Sequence, residues 1–336
     1  MTSQTGTPTA SQRRVKLREP ERFALIGVWI VLIVVFCFLE PQTFPTVANL
    51  SNMLSSQAVL LILALGLIIP LRANIYDLSV TSVLTLSAVI VAQLNVNEGW
   101  SIWPAVLVAL IAGLIVGLVN GFIVTRFDID PFIVTLGIGT VVLGIAYVVS
   151  NTRTISGVDE SLSNAVLWEP IANIPIDVFY GLGLAAIVWY VFDFTAYGQR
   201  LLFVGQNRDV ARLNGVGVQR LRLSAMVCSA GIAALAGVVY IGTTTSADPT
   251  SGAGFLLPAF AAAFLGSTTL KIGRFNPWGT VIAVYFLVTG ITGLQLMGAQ
   301  QYVQQLFYGG ALVIAVVLSK IIHGRSLRAR SKEATA

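Results

Sequence analysis

The sequence predicts an all-α polytopic membrane protein of about ten transmembrane helices, and three observations carry that expectation. Only 10% of the residues are charged while 56% are hydrophobic, and the mean hydropathy is +0.83. A soluble domain carries about 25% charged residues, so this chain needs lipid as the solvent for much of its surface. Apolar runs recur at a bilayer-spanning length, and Lys and Arg fall almost wholly on one side of an alternating in–out path.

A hydrocarbon core about 30 Å thick takes roughly 20 apolar residues in a helix. Runs near that length lie at 23–39, 56–71, 77–95, 102–125, 131–150, 176–192, 222–244, 254–270, 277–297 and 303–322, the second and eighth being short. With the N-terminus inside, one side collects Arg13, Arg14, Lys16, Arg18 and Arg22, then Arg72, Arg126 and the five arginines from Arg200 to Arg222. Lys271, Arg274 and the basic residues from Lys320 to Lys332 join them, leaving Arg153 alone outside. Nine or eleven spans would scramble this asymmetry, which sets orientation in membranes. The expected organisation is a single transmembrane domain over 23–322, flanked by cytoplasmic basic tails at 1–22 and 323–336. Its longest cytoplasmic connection is 193–222 and its longest external loop 151–175. Ten spans divide into five plus five, which would turn the halves opposite ways; parity allows this inverted repeat, although no internal sequence repeat is visible. The first run reads as a retained helix, because a long polar stretch precedes it and no small-residue cleavage site follows.

The net charge of +5 is the signature of orientation rather than of nucleic-acid binding. Cys37 and Cys228 lie in apolar runs without a CxxC neighbour, and His323 is the one histidine. Metal, redox and Ser-His-Asp chemistry therefore lack the residues they need, and no enzyme activity is expected.

Within the spans, Gly113, Gly117 and Gly121 share one helical face and predict close helix packing. Asn120 beside them needs a partner or a watery cavity. Asp77 with Ser79 suits a helix cap at the cytoplasmic interface and equally a broken-helix element beside a translocation path. Asp77, Asn120, Asn276 and Gln295 are the candidate pathway residues, each with a cap or an interhelical hydrogen bond as the plainer role. No Asp or Glu falls mid-span, where ion-coupled carriers keep one, and no GxxxxGK[ST] phosphate loop is present. A transporter lacking both draws its energy from another subunit; the farther alternative is a self-sufficient secondary carrier.

The 193–222 connection holds a predicted short helix. Asn207 caps it, Asp209 sits in its first turn, Arg212 in its last, and Gly215 ends it in the left-handed conformation. Val210 and Leu213 share a face, offering a partner an apolar knob ringed by arginines, while Val218 to Leu223 reads as a second short piece. An interfacial helix lying on anionic lipid would suit the same arginines.

"FVGQNRDVARLNGVGVQRLRL" (203–223) resembles the cytoplasmic loop of ribose/xylose/galactoside-type sugar ABC importer permeases, which read close to G-x-N-x-x-A-A-R-L-S-G-I-x-V. Gly205, Asn207, Ala211, Arg212, Leu213, Gly215 and Val218 match, and Val210 and Asn214 depart mildly. "GLVNGFIVTRFDIDPFIVTLGIGTVVLGI" (117–145), "GFLLPAFAAAFLGSTTLKIGRFNPWGTVIA" (254–283) and "VQQLFYGGALVIAVV" (303–317) resemble further segments in order. One departure stands out: the family's G-G-I-D-L-S-V-G-S corresponds to Asn74-Ile75-Tyr76-Asp77-Leu78-Ser79-Val80-Thr81-Ser82, with Asn, Ile and Thr in place of three glycines. The added side chains are expected to narrow any backbone-lined path and count against ribose as substrate.

The resemblance implies an inner-membrane permease subunit that pairs with a second copy or a paralogue. A separate cytoplasmic ABC ATPase binds ATP and Mg, so this chain needs no cofactor, and a periplasmic or lipid-anchored sugar-binding protein delivers the solute. It assigns ATPase docking to 205–216, through Gly205, Asn207, Arg208, Asp209, Val210, Ala211, Arg212, Leu213 and Gly215. Val210 and Leu213 would fill a groove in the ATPase while Arg208 and Arg212 pair with acids at its rim. The acidic outer loops would receive the binding protein. A permease of the same architecture serving nucleosides or branched-chain amino acids is the nearer alternative.

Overall fold

The computed structural model describes residues 20–170 and 173–334, with backbone alone for 20, 21 and 318–334. The tail at 1–19 and the side chains of the C-terminal basic tail, His323 among them, lie outside the described residues. The chain forms α1 (Ala24–Leu39), α2 (Val47–Ser56), α3 (Ala58–Arg72), α4 (Val80–Ala92), α5 (Ile102–Arg126), α6 (Pro131–Val149) and α7 (Glu160–Leu167). It continues through α8 (Ile176–Phe194), α9 (Ala196–Gln206), α10 (Arg208–Leu213), α11 (Val218–Thr244), α12 (Leu256–Ser267), α13 (Pro277–Leu296) and α14 (Gln301–Ala334). A two-residue ribbon pairs β1 (Ile155–Ser156) antiparallel with β2 (Ser246–Ala247).

Among the described residues, seven helical segments are long and apolar enough to cross a membrane: Val47–Arg72, Val80–Asn97, Ile102–Arg126, Pro131–Val149, Ile176–Phe194, Val218–Thr244 and Pro277–Leu296. Three shorter apolar helices, Ala24–Leu39, Ala253–Ser267 and Gln301–Val317, fall on the remaining apolar runs. The chain is thus a multi-pass, all-α membrane protein.

Helix α3 is the hub, with every residue from Ala58 to Arg72 buried between α11, α8, α12 and α13. Helices α5, α6 and α8 turn mostly apolar side chains outward, including Leu107, Ile111, Phe132, Ile133 and Ile187. Lipid tails are as apolar as these side chains, so close packing has to hold the helices together. The tightest seam is α5 on α11. A Cβ on Gly113 would overlap Ala234, one on Gly117 would lie 2.8 Å from the Ala230 Cβ and the Val227 Cα, and one on Gly121 would lie 3.1 Å from the Leu223 Cα. The small-residue face predicted for the fourth run is the face on which α11 lies.

The helix ends fall on two faces. On one, Arg72 at the end of α3 bonds to backbone of α8, of α9 and of the α12–α13 loop. Lys271 pairs with Asp193, Arg208 and Arg222 pair with Asp128, and the Leu270 amide donates to the Arg22 carbonyl. On the other face, Asp159 N donates to Asn95, the ribbon joins 155–156 to 246–247, and Ser51 donates to the Asn173 carbonyl. Arg153 lies beside that ribbon. The first of these faces gathers Arg72, Arg208, Arg222 and Lys271 and is the basic one.

Candidate functional site

The basic face carries α9 and α10. Thr195 begins α9 by accepting from the Gly198 amide, and the Asn207 side chain begins α10 by accepting from the amides of Asp209 and Val210 at 3.0 Å. Gly215 ends it with φ +75, in the left-handed region that costs glycine little. Ala211 is fully buried, whereas Val210 is 41% and Leu213 86% exposed. Alternation between the two is what a short capped helix lying on a scaffold produces: one side is spent on its own chain, and the other stands free with a leucine at its tip.

Three features here depart from the sequence expectations. Helix α9, eleven residues long, fills a stretch read as loop. Val218 to Leu223 is no separate piece but the start of the 27-residue α11. Arg208, assigned to an ATPase rim, is engaged within the chain: its Nη2 lies 2.6 Å from Asp128 Oδ1, and its guanidinium holds that carboxyl below the usual range. Gly205 faces inward too, since a Cβ there would overlap the Arg72 carbonyl oxygen. Asp209 and Arg212 are exposed. The exposed side of α10 is therefore centred on Leu213, Val210 and Arg212.

Of the four pathway candidates, the structure brings two together. The segment 73–79, between α3 and α4, buries Ala73, Ile75, Asp77 and Ser79 and exposes Asn74 and Tyr76. Asn74 turns it with φ 57, in the region glycine favours, and Ile75 is buried. Thr135 of α6 pins it by accepting from the Leu78 amide at 3.1 Å. Asp77 and Asn120 are both fully buried. Ser79 links them: its hydroxyl donates to Asp77 Oδ1 at 2.6 Å and accepts from Asn120 Nδ2 at 2.8 Å. Asn120 sits six residues before Arg126, so at 1.5 Å per residue this cluster lies about 9 Å in from the basic end of α5. Ser229 of α11 lies beside Asp77, and Asn120 Oδ1 has no hydrogen-bond partner among the described residues. Asp77 is no cap of α4: its Oδ1 accepts from the Ser79 amide at 3.0 Å, and Ser79 is the residue at the N-cap, with no side-chain cap bond.

Asn276 is a clasp between helices. Its Oδ1 accepts from the Gly279 amide at 2.7 Å, capping α13, while its Nδ2 faces the carbonyls of Gly266, Thr269 and Arg274. Gln295 is exposed near the opposite face, 3.5 Å from Gln304. Neither approaches the Asp77–Asn120 cluster through any hydrogen bond among the described residues. Sequence reasoning passed over Arg72, read only as an orientation charge, along with Asp128 and Ser229. A lone arginine closing an apolar run gave the one signal.

Residues 49–316 match the family described as branched-chain amino acid transport system / permease component. Among curated proteins, the D-allose transport system permease protein of Escherichia coli (strain K12) is 28% identical, covering 94% of this chain and 99% of that one. The ribose import permease protein of the same strain is 30% identical over 93% and 98%. The fructose import permease protein of Rhizobium meliloti is 34% identical over 73% and 70%. No solved structure matches the chain significantly. Near end-to-end alignment, a multi-pass helical fold and the capped helix on a basic face agree: this chain is a transporter component rather than an enzyme, and it belongs to the sugar ABC importer permease family.

Proposed function

We propose that the chain is the transmembrane permease subunit of an ABC importer, passing a monosaccharide or related polyol across a bacterial inner membrane. The observation that carries the mechanism is Leu213, 86% exposed at the tip of a helix capped by Asn207 and Gly215. An exposed leucine on a rigid base is an anchor suited to a pocket on a partner. That partner is a cytoplasmic ATPase subunit, which binds ATP and Mg in place of this chain. Val210 and Leu213 enter its groove, Arg212 meets acids at the rim, and Arg208 with Asp128 holds α10 in position.

Orientation follows from the basic face, which is cytoplasmic together with both termini. The three shorter apolar helices complete ten spans. Packing supports a five-plus-five inverted repeat: α5 and α6 pack on α4 as α13 and α14 pack on α12, and α11 packs on α4 and α5 as α3 packs on α12 and α13. On the outer face, exposed Glu98, Asp159, Glu160 and Glu169 favour a binding protein with a basic docking patch. Two copies, or this chain and a paralogue, form one pathway, and Asp77 with Asn120 borders it. ATP-driven closure of the ATPase pair shifts each permease between two conformations of similar free energy.

The sugar assignment rests on relatives that import ribose, allose and fructose, whereas the family description names branched-chain amino acids. Thermal melting of the partner binding protein with D-ribose, D-allose, D-galactose, D-fructose, leucine and a nucleoside separates the two. A sugar is expected to raise the melting temperature; a rise with leucine or the nucleoside alone would overturn the assignment.

A further inference from the structure

The end of α3 and the two ends of α9 are fastened to each other through one residue. Arg72 is 6% exposed, and its guanidinium serves three backbone carbonyls on three elements. Nη2 donates to Phe192 in the last turn of α8 at 3.0 Å, Nε to Gly198 in the first turn of α9 at 3.2 Å, and Nη1 to Phe275 just before α13 at 3.4 Å. The Phe192 ring lies under the guanidinium carbon at 4.2 Å, adding a cation–π contact. The residue's own carbonyl is approached from the other side by Gly205, near the end of α9, so closely that no Cβ fits. Helix α9 is thereby held at Gly198 by the Arg72 side chain and at Gly205 against the Arg72 backbone.

An orientation charge at a helix end needs none of this, since a lysine reaching into water would satisfy the same asymmetry. A guanidinium with its donors spread over three carbonyls is a geometric fixture that lysine, a point charge on a flexible stem, cannot copy. What lies on each side gives the fixture its meaning. Past α9 comes Asn207 and then α10, the exposed helix. Past Arg72 comes the 73–79 segment, which carries Asp77 into the buried cluster with Ser79 and Asn120.

We propose that Arg72 is the positioning residue that transmits movement of the α9–α10 unit to the 73–79 segment and the Asp77–Asn120 cluster. It touches neither solute nor nucleotide. A push on α10 moves α9 as a body, the Arg72 bonds carry α3's end with it, and the segment following Arg72 is displaced at its root. This inference rests on the docking role given to α10, and its test separates the two.

The full permease is reconstituted in vesicles with its ATPase and binding protein, and three quantities are measured: ATPase retained on the permease, ATP hydrolysed, and solute taken up. Arg72→Gln and Arg72→Lys remove the three-carbonyl fixture from one side, and Gly205→Ala forces α9 off the Arg72 carbonyl from the other. Retention of the ATPase by Arg72→Gln and Arg72→Lys is expected to stay within about twofold of wild type. Uptake per ATP is expected to fall roughly tenfold or more in Arg72→Gln and Gly205→Ala, with no further fall in the double variant because both break one joint. Arg72→Lys keeps the charge and is expected to fall nearly as far, which a mere orientation charge would not. Unchanged uptake per ATP in Arg72→Gln overturns the proposal, as does a loss matched by lost ATPase retention, or full rescue by lysine. Loss of docking belongs instead to Leu213→Asp, so failure of the α10 assignment shows in that variant independently.

Discussion

Leu213→Ala isolates the docking contact, because the side chain touches so little of its own protein. Burying a leucine side chain fully stabilises a complex by about 1.5–3 kcal/mol. At 86% exposure in the free permease, nearly all of that is available to a partner. Alanine removes most of the side-chain carbons, so the loss on docking is about 1–2 kcal/mol. At about 1.4 kcal/mol per tenfold, ATPase affinity should weaken by about 5- to 30-fold. Leu213→Asp, which would also bury a carboxylate, should weaken it beyond about 100-fold. Titration of the ATPase onto permease held in nanodiscs reads the affinity, and thermal unfolding of the permease alone is the control. That control should move by less than about 0.5 kcal/mol, as for exposed positions generally. An affinity within about twofold of wild type in Leu213→Ala, with the ATPase still bound, would refute the contact.

Three further outcomes concern the scaffold. Gly117→Leu drives a side chain into Ala230 and Val227, where a Cβ alone already stands at 2.8 Å; detergent unfolding should show a loss of roughly 1–3 kcal/mol, and an unchanged midpoint would contradict the α5–α11 seam. Asn276→Ala removes the α13 cap and the donor facing two buried carbonyls, costing about 2–4 kcal/mol, whereas Asn276→Asp keeps the cap acceptor and should lose less. Asp128 has its pKa lowered by Arg208, so its stabilising contribution is present above the ordinary aspartate value near 3.9 and is lost as pH falls through the depressed folded value. Being exposed, it contributes under about 1 kcal/mol; the gap in unfolding midpoint between wild type and Asp128→Asn should therefore be small at about pH 6 and narrow as the pH falls below the ordinary aspartate value of about 3.9.

What could be read from the sequence followed the range of each interaction. Asn207 and Gly215 act within a few residues of themselves, so their caps were visible as letters. The apolar runs and the basic asymmetry are written locally too, and the small-residue face of α5 needed only helical periodicity. Asn276 directly before Pro277 carried a cap signal of the same kind, overshadowed by its position beside a span. Helix α9 was hidden because Ala196–Gln206 mixes Arg200 and Gln199 with apolar residues and forms against Arg72, far away in the chain, as well as against Phe192 just before it. The bond from Asn120 to Ser79 spans 41 positions, and Arg72 reaches partners 120, 126 and 203 positions away. No local pattern encodes such meetings. The ion pair of Arg208 was hidden for the same reason: its partner, Asp128, lies 80 residues earlier.

The central claim is that energy for transport enters from outside this chain, through α10. Vesicles containing the permease, its ATPase and internal ATP, with binding protein and labelled D-ribose, D-allose, D-galactose or D-fructose outside, test it directly. Accumulation of one sugar is predicted only when permease, ATPase and ATP are all present, and not when Leu213→Asp replaces the wild type. Accumulation by the permease alone, driven by a proton or sodium gradient and untouched by removal of the ATPase, would contradict the account.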